Sequence, residues 1–417
     1  MPVGVRAYDP TVTDDPYATA AELGLMVGFP PPPGKRVDRS NALMTPPFNR
    51  WSYQHMRTVF PSAPVRVSDA PSPLSVDSDP AVDALVVPRA DGSPADFAAF
   101  LRETYTDSFL IATPEALVYE HYGNGMHGTA AHQMMSVTKS FAGLFALMAG
   151  LDENAPVVSL VPELRAASAF AEARIGQVLD MVNSMDFSED YADPASDIAR
   201  YGATLGWLDR PGVDSLYEFL TGLRKDPAHA HGDIFHYQTP KTDVVNWVTN
   251  RVTGKSFQDN MSDALWSELG TEGETYVLLD RCGTLVAGGG LNAAPRDLAR
   301  FAMMLLNDGT ATGTRVVDPA IIDTLERGGD RVAFVSGPDA TGPWAGGDWS
   351  YRAQWWVRHT PGREAITAIG VHGQWVYVDR AHRVAIVKQS SQPVSSDPDT
   401  DQFVLNAFDA VIEHLAG

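Results

Sequence analysis

A serine and a lysine three positions apart, Ser136-Val-Thr-Lys139, stand directly before the apolar run Phe141 to Leu151. Residues at i and i+3 share a helix face, so the lysine amine can reach the serine hydroxyl one turn away. The apolar run predicts a buried helix, whose first turn is dry and whose N-terminal N–H groups favour a negative oxygen. Burial disfavours the ammonium form. Lowering a lysine from about 10.4 to near 7 amounts to roughly 4–5 kcal/mol against the charged state. A neutral Lys139 could then accept the Ser136 proton and make that oxygen a nucleophile. The competing reading, a capping serine beside a snorkelling lysine, predicts Lys139 at the surface. Further along the chain, Phe235-His-Tyr237-Gln-Thr-Pro240 precedes the helical pattern Thr242-Asp-Val-Val-Asn-Trp-Val. A phenol placed just before a helix could return the proton to a leaving atom, and beside an ammonium its pKa is expected to fall.

Other chemistry-bearing groups read as structural. His229, His231 and His236 with Asp233 sit in a loop rich in Pro, Gly and Ala, with no i,i+4 pair to fix metal geometry, and His121 with His127 lies in a Gly-rich loop, so no metal is expected. Gly288-Gly-Gly290 reads as a tight packing turn. The single cysteine, Cys282, lies before Leu285 and Val286 and reads as a buried, inert thiol. Gly-x-Ser-x-Gly, Walker, His-Glu-x-x-His and Gly-x-Gly-x-x-Gly signatures are all absent, and no cofactor is expected.

Elements that could position Ser136, Lys139 and Tyr237 are legible on both sides of them. Residues 1–95 are rich in Pro, Ser and Asp and predict an irregular arm laid over a body spanning 96–417. Two strands are expected within about 104–123, around Thr113-Pro-Glu115, and more within about 350–390, where 366–389 reads as two strands broken at Asp379-Arg-Ala-His-Arg383. Residues of about 140–345 read as mostly helical, and Phe403, Leu405, Phe408, Val411, Ile412 and Leu415 space a terminal helix against a sheet. Early and late strands in one antiparallel sheet with a helical region between them make an α+β arrangement. The 417 residues carry 31 Lys+Arg against 52 Asp+Glu, a net charge of −21, with 44 % hydrophobic and 20 % charged residues. This excludes a disordered chain, and the negative field argues against nucleic acid or an anionic membrane as partner. The N-terminus lacks the basic-then-apolar pattern of a secretory signal and no apolar run suffices for a membrane span, so a cytoplasmic location is expected.

Ser136-x-x-Lys139, Phe235-His-Tyr237-x-Thr239, Thr253-Gly254, Trp266-x-x-Leu-Gly270 and Gly289-Gly-Leu-x-x-x-x-Arg-Asp297-Leu-Ala follow the order found in serine hydrolases related to class C β-lactamases and penicillin-binding proteins. Thr104-Tyr-Thr-Asp-Ser-Phe-Leu, Glu189-Asp-Tyr-Ala-Asp-Pro-Ala-Ser196, Gln354-Trp-Trp356, Gly370-Val-His-Gly-Gln374 and Pro46-Pro-Phe-Asn-Arg-Trp51 resemble, more narrowly, the 6-aminohexanoate-dimer (nylon-oligomer) hydrolases and their carboxylesterase relatives. The resemblance implies a β-lactamase/transpeptidase-like fold and a serine hydrolase of small amides or esters. It makes Ser136 the acylated nucleophile, Lys139 its base and Tyr237 the proton relay, with the N–H groups of Ser136 and Val371 as oxyanion hole, Val371 lying on a sheet edge. Tyr191 would sit on a lid and reach the scissile nitrogen. Trp207 and Trp356 would wall the pocket, and Gly202 and His372 would face substrate. A homodimer is compatible with it.

The chain also departs from these relatives. Ala368-Ile-Gly370 stands where β-lactam-recognising enzymes carry a cation followed by Thr and Gly, and Thr239 stands where Asn is usual, which argues against efficient β-lactam turnover. Gly202 occupies the place of an acid that meets the ammonium of amino-terminated oligomers, with Asp197 or Asp209 as substitutes, so esters are favoured over the amide dimer. The alternatives are a β-lactam-recognising enzyme and a non-catalytic binding domain of the same fold.

Overall fold

The computed structural model describes residues 15–208, 211–213 and 215–417. Seven antiparallel strands form the main sheet: β1 (Thr106–Ala112), β2 (Leu117–Tyr122), β3 (Trp349–Arg352), β4 (Trp355–Arg358), β5 (Ala365–Gly370), β6 (Gln374–Asp379) and β7 (Val384–Ser390). Their spatial order, β3-β4-β5-β6-β7-β1-β2, joins the early strands to the late ones through the β7–β1 pairing, Val387 opposite Leu110. Three strands occupy 365–390 where two were expected. Val371-His-Gly373 makes an additional reversal between β5 and β6, with His372 at φ +63° and Gly373 at φ +86°.

Both faces of this sheet are covered, which is why its strands read as nearly continuous apolar runs. Leu110, Ala368, Val376 and Val387 face helices α1 (Val137–Met148) and α4 (Pro295–Leu306), with α3 (Pro240–Thr253) packed on α1. Phe109, Ile111, Trp375 and Ile386 face the helix Phe97–Glu103 and the terminal α5 (Pro398–Ala416). Between them, in sequence, lies the short helix α2 (Asp197–Leu205). The region 140–345 is less helical than its pattern suggested, because Thr275–Leu278 and Leu291–Ala293 pair with each other and with Ser62–Pro64 and His132–Gln133 in a second, four-stranded sheet. These strands are too short, at two to four residues, to leave a periodic signature.

The early segment is tied into the body by buried polar contacts. Arg50 Nη1 donates to Asp107 Oδ1 at 2.9 Å, and Asn49 Nδ2 donates to the carbonyls of Ser391 and Gln392 at 3.1 and 2.8 Å. No helix among the described residues is long and apolar enough to cross a membrane.

Helix α1 lies against the β3–β4 turn at a separation only glycine permits. A Cβ at Gly143 would sit 1.8 Å from the Ala353 carbonyl oxygen. Ser140 Oγ donates to Gln354 O at 2.8 Å, and the Trp355 indole donates to Ser140 O at 3.0 Å, so the backbone has little room to yield. Gly143→Ala is therefore expected to cost about 2 kcal/mol or more in chemical denaturation. Gly34→Ala, with no atom within 4 Å of the added carbon, is expected to leave the denaturation midpoint unchanged.

Candidate active site

Ser136 caps the N-terminus of α1 without a side-chain capping bond, leaving its hydroxyl available. The turn before it is strained: Met135 has φ +47°, a left-handed conformation that an unbranched non-glycine residue adopts only when its surroundings impose it. They do so through Thr138, whose Oγ1 donates to Met135 O at 2.6 Å and accepts the Leu291 N–H at 3.0 Å. One motif residue thus locks the first helical turn onto the second sheet.

Lys139 is 1 % exposed, which excludes the snorkelling alternative. Its Nζ lies 2.7 Å from Ser136 Oγ and donates to the Gly288 carbonyl at 2.6 Å. Burial lowers its pKa to about 8, against the opposing pull of Glu189 and Asp243. The triple-glycine turn is thus both a packing element and a partner of the amine. A Cβ at Gly288 would lie 2.7 Å from Thr239 Cγ2 and 2.8 Å from the Tyr201 hydroxyl.

Tyr237 approaches Ser136 from the loop just before α3, and the two side chains line the same cavity. The Tyr237 ring lies under Lys139, with Nζ 5.1 Å from the ring centroid, and stacks on Trp356 at 5.5 Å. The expectation of a lowered phenol pKa is overturned. Burial pushes it up, the neighbouring Ser136 hydroxyl opposes this, and Glu189 and Asp339 add to the rise. Because the neighbouring amine is itself desolvated, it does not act as the fixed cation that the sequence argument assumed.

Two acids, the half-buried Glu189 and the buried Asp243, complete this arrangement and were not singled out from sequence. Glu189 accepts from the Tyr191 hydroxyl at 2.8 Å, from the Thr239 N–H at 3.0 Å and from the Thr239 hydroxyl. Asp243 accepts from the Tyr201 hydroxyl at 2.7 Å and from the Gly288 N–H at 3.1 Å, and burial raises its pKa to about 7. An acid directly heading the apolar pattern Val244-Val-Asn-Trp-Val was the available signal for Asp243. Nothing local marks Glu189.

The end of β5 lies against the nucleophile. A Cβ at Gly370 would stand 3.0 Å from the Ser136 nitrogen. Neither the Ser136 N–H nor the Val371 N–H is given an acceptor by the described residues, leaving two donors beside the serine hydroxyl. Val371 is not on a sheet edge as expected. It follows an interior strand, at its C-terminal end.

Two cavities meet at Ser136, Tyr191 and Val371. The first, about 250 Å³, is walled by Leu43, Met44, Ile198, Trp207 and Leu208, with Gly202 of α2 in its lining. The second, about 280 Å³, is walled by Tyr237, Trp356, Trp344, Ile369, Asp339 and Asp401. His372 lines neither and is corrected from a substrate contact to a structural residue. It is 1 % exposed, Nδ1 contacts Gln392 O at 2.7 Å, and burial lowers its pKa to about 4, so it braces the turn that carries Val371. Asp197 faces Arg200 and the Ser188 N–H rather than the first cavity, and Asp209 lies outside the described residues.

Cys282 is exposed, not buried as its apolar neighbours suggested, because Asp280 turns the chain outward there by accepting the Cys282 and Thr284 N–H groups at 2.8 and 2.7 Å. His231 Nδ1 accepts the Ser184 N–H at 2.9 Å. Among the described residues no group of three His, Cys, Asp or Glu could hold a metal ion.

Residues 97–409 match the family model described as Beta-lactamase. The chain belongs to this family. It is 36 % identical over 363 residues to the 6-aminohexanoate-dimer hydrolase of Paenarthrobacter ureafaciens, covering 85 % of this chain and 87 % of that one. A solved structure from Bacillus anthracis, proposed there to be a 6-aminohexanoate-dimer hydrolase, superposes with TM-score 0.80 at 28 % identity over 91 % of this chain and 97 % of its own. A family VIII carboxylesterase shares the fold at TM-score 0.55 and 17 % identity, over 75 % and 95 % of the two chains. The β-lactamase/transpeptidase-like α+β fold and the hydrolase class are as the resemblance implied.

With Lys139 as base, only its neutral form can take the serine proton. The kcat/KM for an uncharged ester is expected to rise with pH through a midpoint near 8. Asp243→Asn removes a negative charge that favours the ammonium, so it is expected to move this midpoint down. A flat profile across that range contradicts the assignment.

Proposed function

We propose that this family member hydrolyses small amides or esters through an acyl-enzyme on Ser136. The observation that carries the reading is the approach of the Lys139 amine to within 2.7 Å of Ser136 Oγ at a fully buried position. Lys139 keeps an N–H bond to Gly288 O, so its lone pair faces the serine hydroxyl and takes that proton as Oγ attacks the carbonyl carbon. The N–H groups of Ser136 and Val371 receive the developing oxyanion. Tyr237, held protonated, passes a proton to the leaving nitrogen or oxygen and is resupplied from Lys139. Water then enters by the same route in reverse and releases the acid. Glu189 and Tyr191 hold the Tyr237 side of the cleft, and Tyr191 presents its ring to both cavities.

Two outcomes test this. Ser136→Ala is expected to reduce p-nitrophenyl butyrate hydrolysis by about a thousandfold or more. It should also abolish the covalent mass increment that a fluorophosphonate adds to the intact protein. Residual turnover above that level identifies a different nucleophile. A chromogenic cephalosporin is expected to be hydrolysed slowly, because Ala368 supplies no cation for the β-lactam carboxylate and Ile369 presents an apolar wall. Rapid hydrolysis would show that the missing cation is replaced from elsewhere.

A further inference from the structure

The two cavities at Ser136 are unlike in charge, and this sets which half of a substrate each can take. A proton relay must lie on the side of the atom that leaves. Tyr237 lines only the second cavity, so that cavity holds the leaving group and the first holds the acyl group. The acyl cavity is apolar. Its one carboxylate, Asp193, is exposed at the rim and is engaged by the Ala195 N–H at 2.8 Å.

The leaving-group cavity carries three carboxylates, and while Glu189 is taken up by Tyr191 and Thr239, Asp339 and Asp401 have no cation in direct contact. Asp401 is 8 % exposed. Its Oδ2 accepts from Ser396 Oγ at 2.9 Å, and no donor among the described residues reaches its Oδ1. Asp339 Oδ2 accepts the Tyr237 N–H at 2.8 Å, and its Oδ1 is likewise without a donor among them. Neither forms an ion pair within 4 Å, although most arginines of the described chain do. The nearby Lys241 amine is spent on the carbonyls of Met181 and His236 at 3.0 and 2.9 Å, and the buried Lys388 amine, which acts on Asp401 from a distance, on Thr104 O at 3.3 Å and on Ser390 Oγ. Burial raises both carboxyl groups to about 6, outweighing the opposing pull of Lys241 on Asp339 and of Lys388 on Asp401. Beside them Trp344 and Trp356 stand 5.1 Å apart, with Tyr237 stacked on Trp356, offering aromatic faces to a cation.

Resting on the acyl-enzyme reading above, we infer that the preferred substrate joins an uncharged acyl chain to a leaving group bearing an ammonium, as in an acylated diamine or an amino-alcohol ester. Ser136 Oγ bonds to the carbonyl carbon, the C–N or C–O bond breaks, and the leaving atom takes the proton that Ser136 gave up. The released amine or alcohol keeps its ammonium between Asp339, Asp401 and the indoles until it departs. Water then supplies the oxygen of the product acid. The linear 6-aminohexanoate dimer has the opposite polarity, with an ammonium on its acyl half and a carboxylate on its leaving half. Here the first would enter the apolar cavity beside Gly202, and the second would face Asp339 and Asp401. The negative field of the whole chain works in the same direction, drawing cations toward the cleft.

Three esters that share a hexanoyl group test the inference: those of 6-(trimethylammonio)hexanol, heptanol and 6-hydroxyhexanoate. The expected order of kcat/KM is cationic, then neutral, then anionic, with the cationic ester ahead of the anionic one by at least about fivefold and the difference carried by KM. In Asp339→Asn/Asp401→Asn the ratio within that variant is expected to approach one, a readout that a general loss of activity does not move. A smaller ratio in the unaltered enzyme overturns the inference. So does failure to turn over any of the three while Ser136 is still labelled by a fluorophosphonate. Failure of that labelling overturns the acyl-enzyme reading instead.

Discussion

One buried amine organises this molecule. A lysine removed from water loses the hydration that keeps it protonated, and the fold compensates only part of that loss with the Gly288 carbonyl and the distant pull of Glu189 and Asp243. The result is an amine whose two protonation states are close in free energy near neutral pH. Such a group can take a proton and give it back, which neither an exposed lysine nor a salt-bridged one does readily. Several features of the surrounding structure serve that balance. The triple-glycine turn comes close enough to accept from Nζ because a side chain at Gly288 would collide with Thr239 and Tyr201.

The acids around the amine are held at a distance by hydrogen bonds to other groups. Asp243 is occupied by Tyr201 and the Gly288 N–H, and Glu189 by Tyr191 and Thr239. Had either carboxylate contacted Nζ directly, the ion pair would have fixed the ammonium and removed the base. Thr239, an unusual residue for this motif, fits the same scheme, since its hydroxyl and N–H both go to Glu189. The early segment contributes at second hand. Asn49 holds the Ser391 and Gln392 carbonyls, Gln392 O meets His372, and His372 braces the reversal that aims Val371 at the serine. Sequence far from the nucleophile thereby keeps a backbone N–H in place.

Much of the fold was legible because alternating and helical patterns are local. The β1–β2 hairpin, the terminal helix and the buried α1 all followed from runs of apolar residues. The strand break at Val371-His-Gly373 was missed because it interrupts an apolar stretch without Pro or Asn, with only His372 and Gly373 in positive φ to make the turn. The second sheet was missed because its two outer strands pair across more than a hundred residues and all four strands are too short to show a period. Cys282 was misjudged because apolar neighbours in sequence need not be neighbours in space.

By itself the sequence determined the pairing of Ser136 with Lys139, since a three-residue step on a helix fixes two side chains within reach whatever surrounds them. It also determined that the helix would be interior, and with that the direction of the lysine's pKa. Tertiary packing alone decided what the pair could be used for. Which phenol leans in and how protonated it stays, which acids stand near without touching, and which backbone donors remain free are all consequences of contacts between distant segments. So is the contrast between an apolar cavity and an acidic one on either side of the serine. These depend on desolvation and on position in space, and neither is encoded in the spacing of residues along a chain.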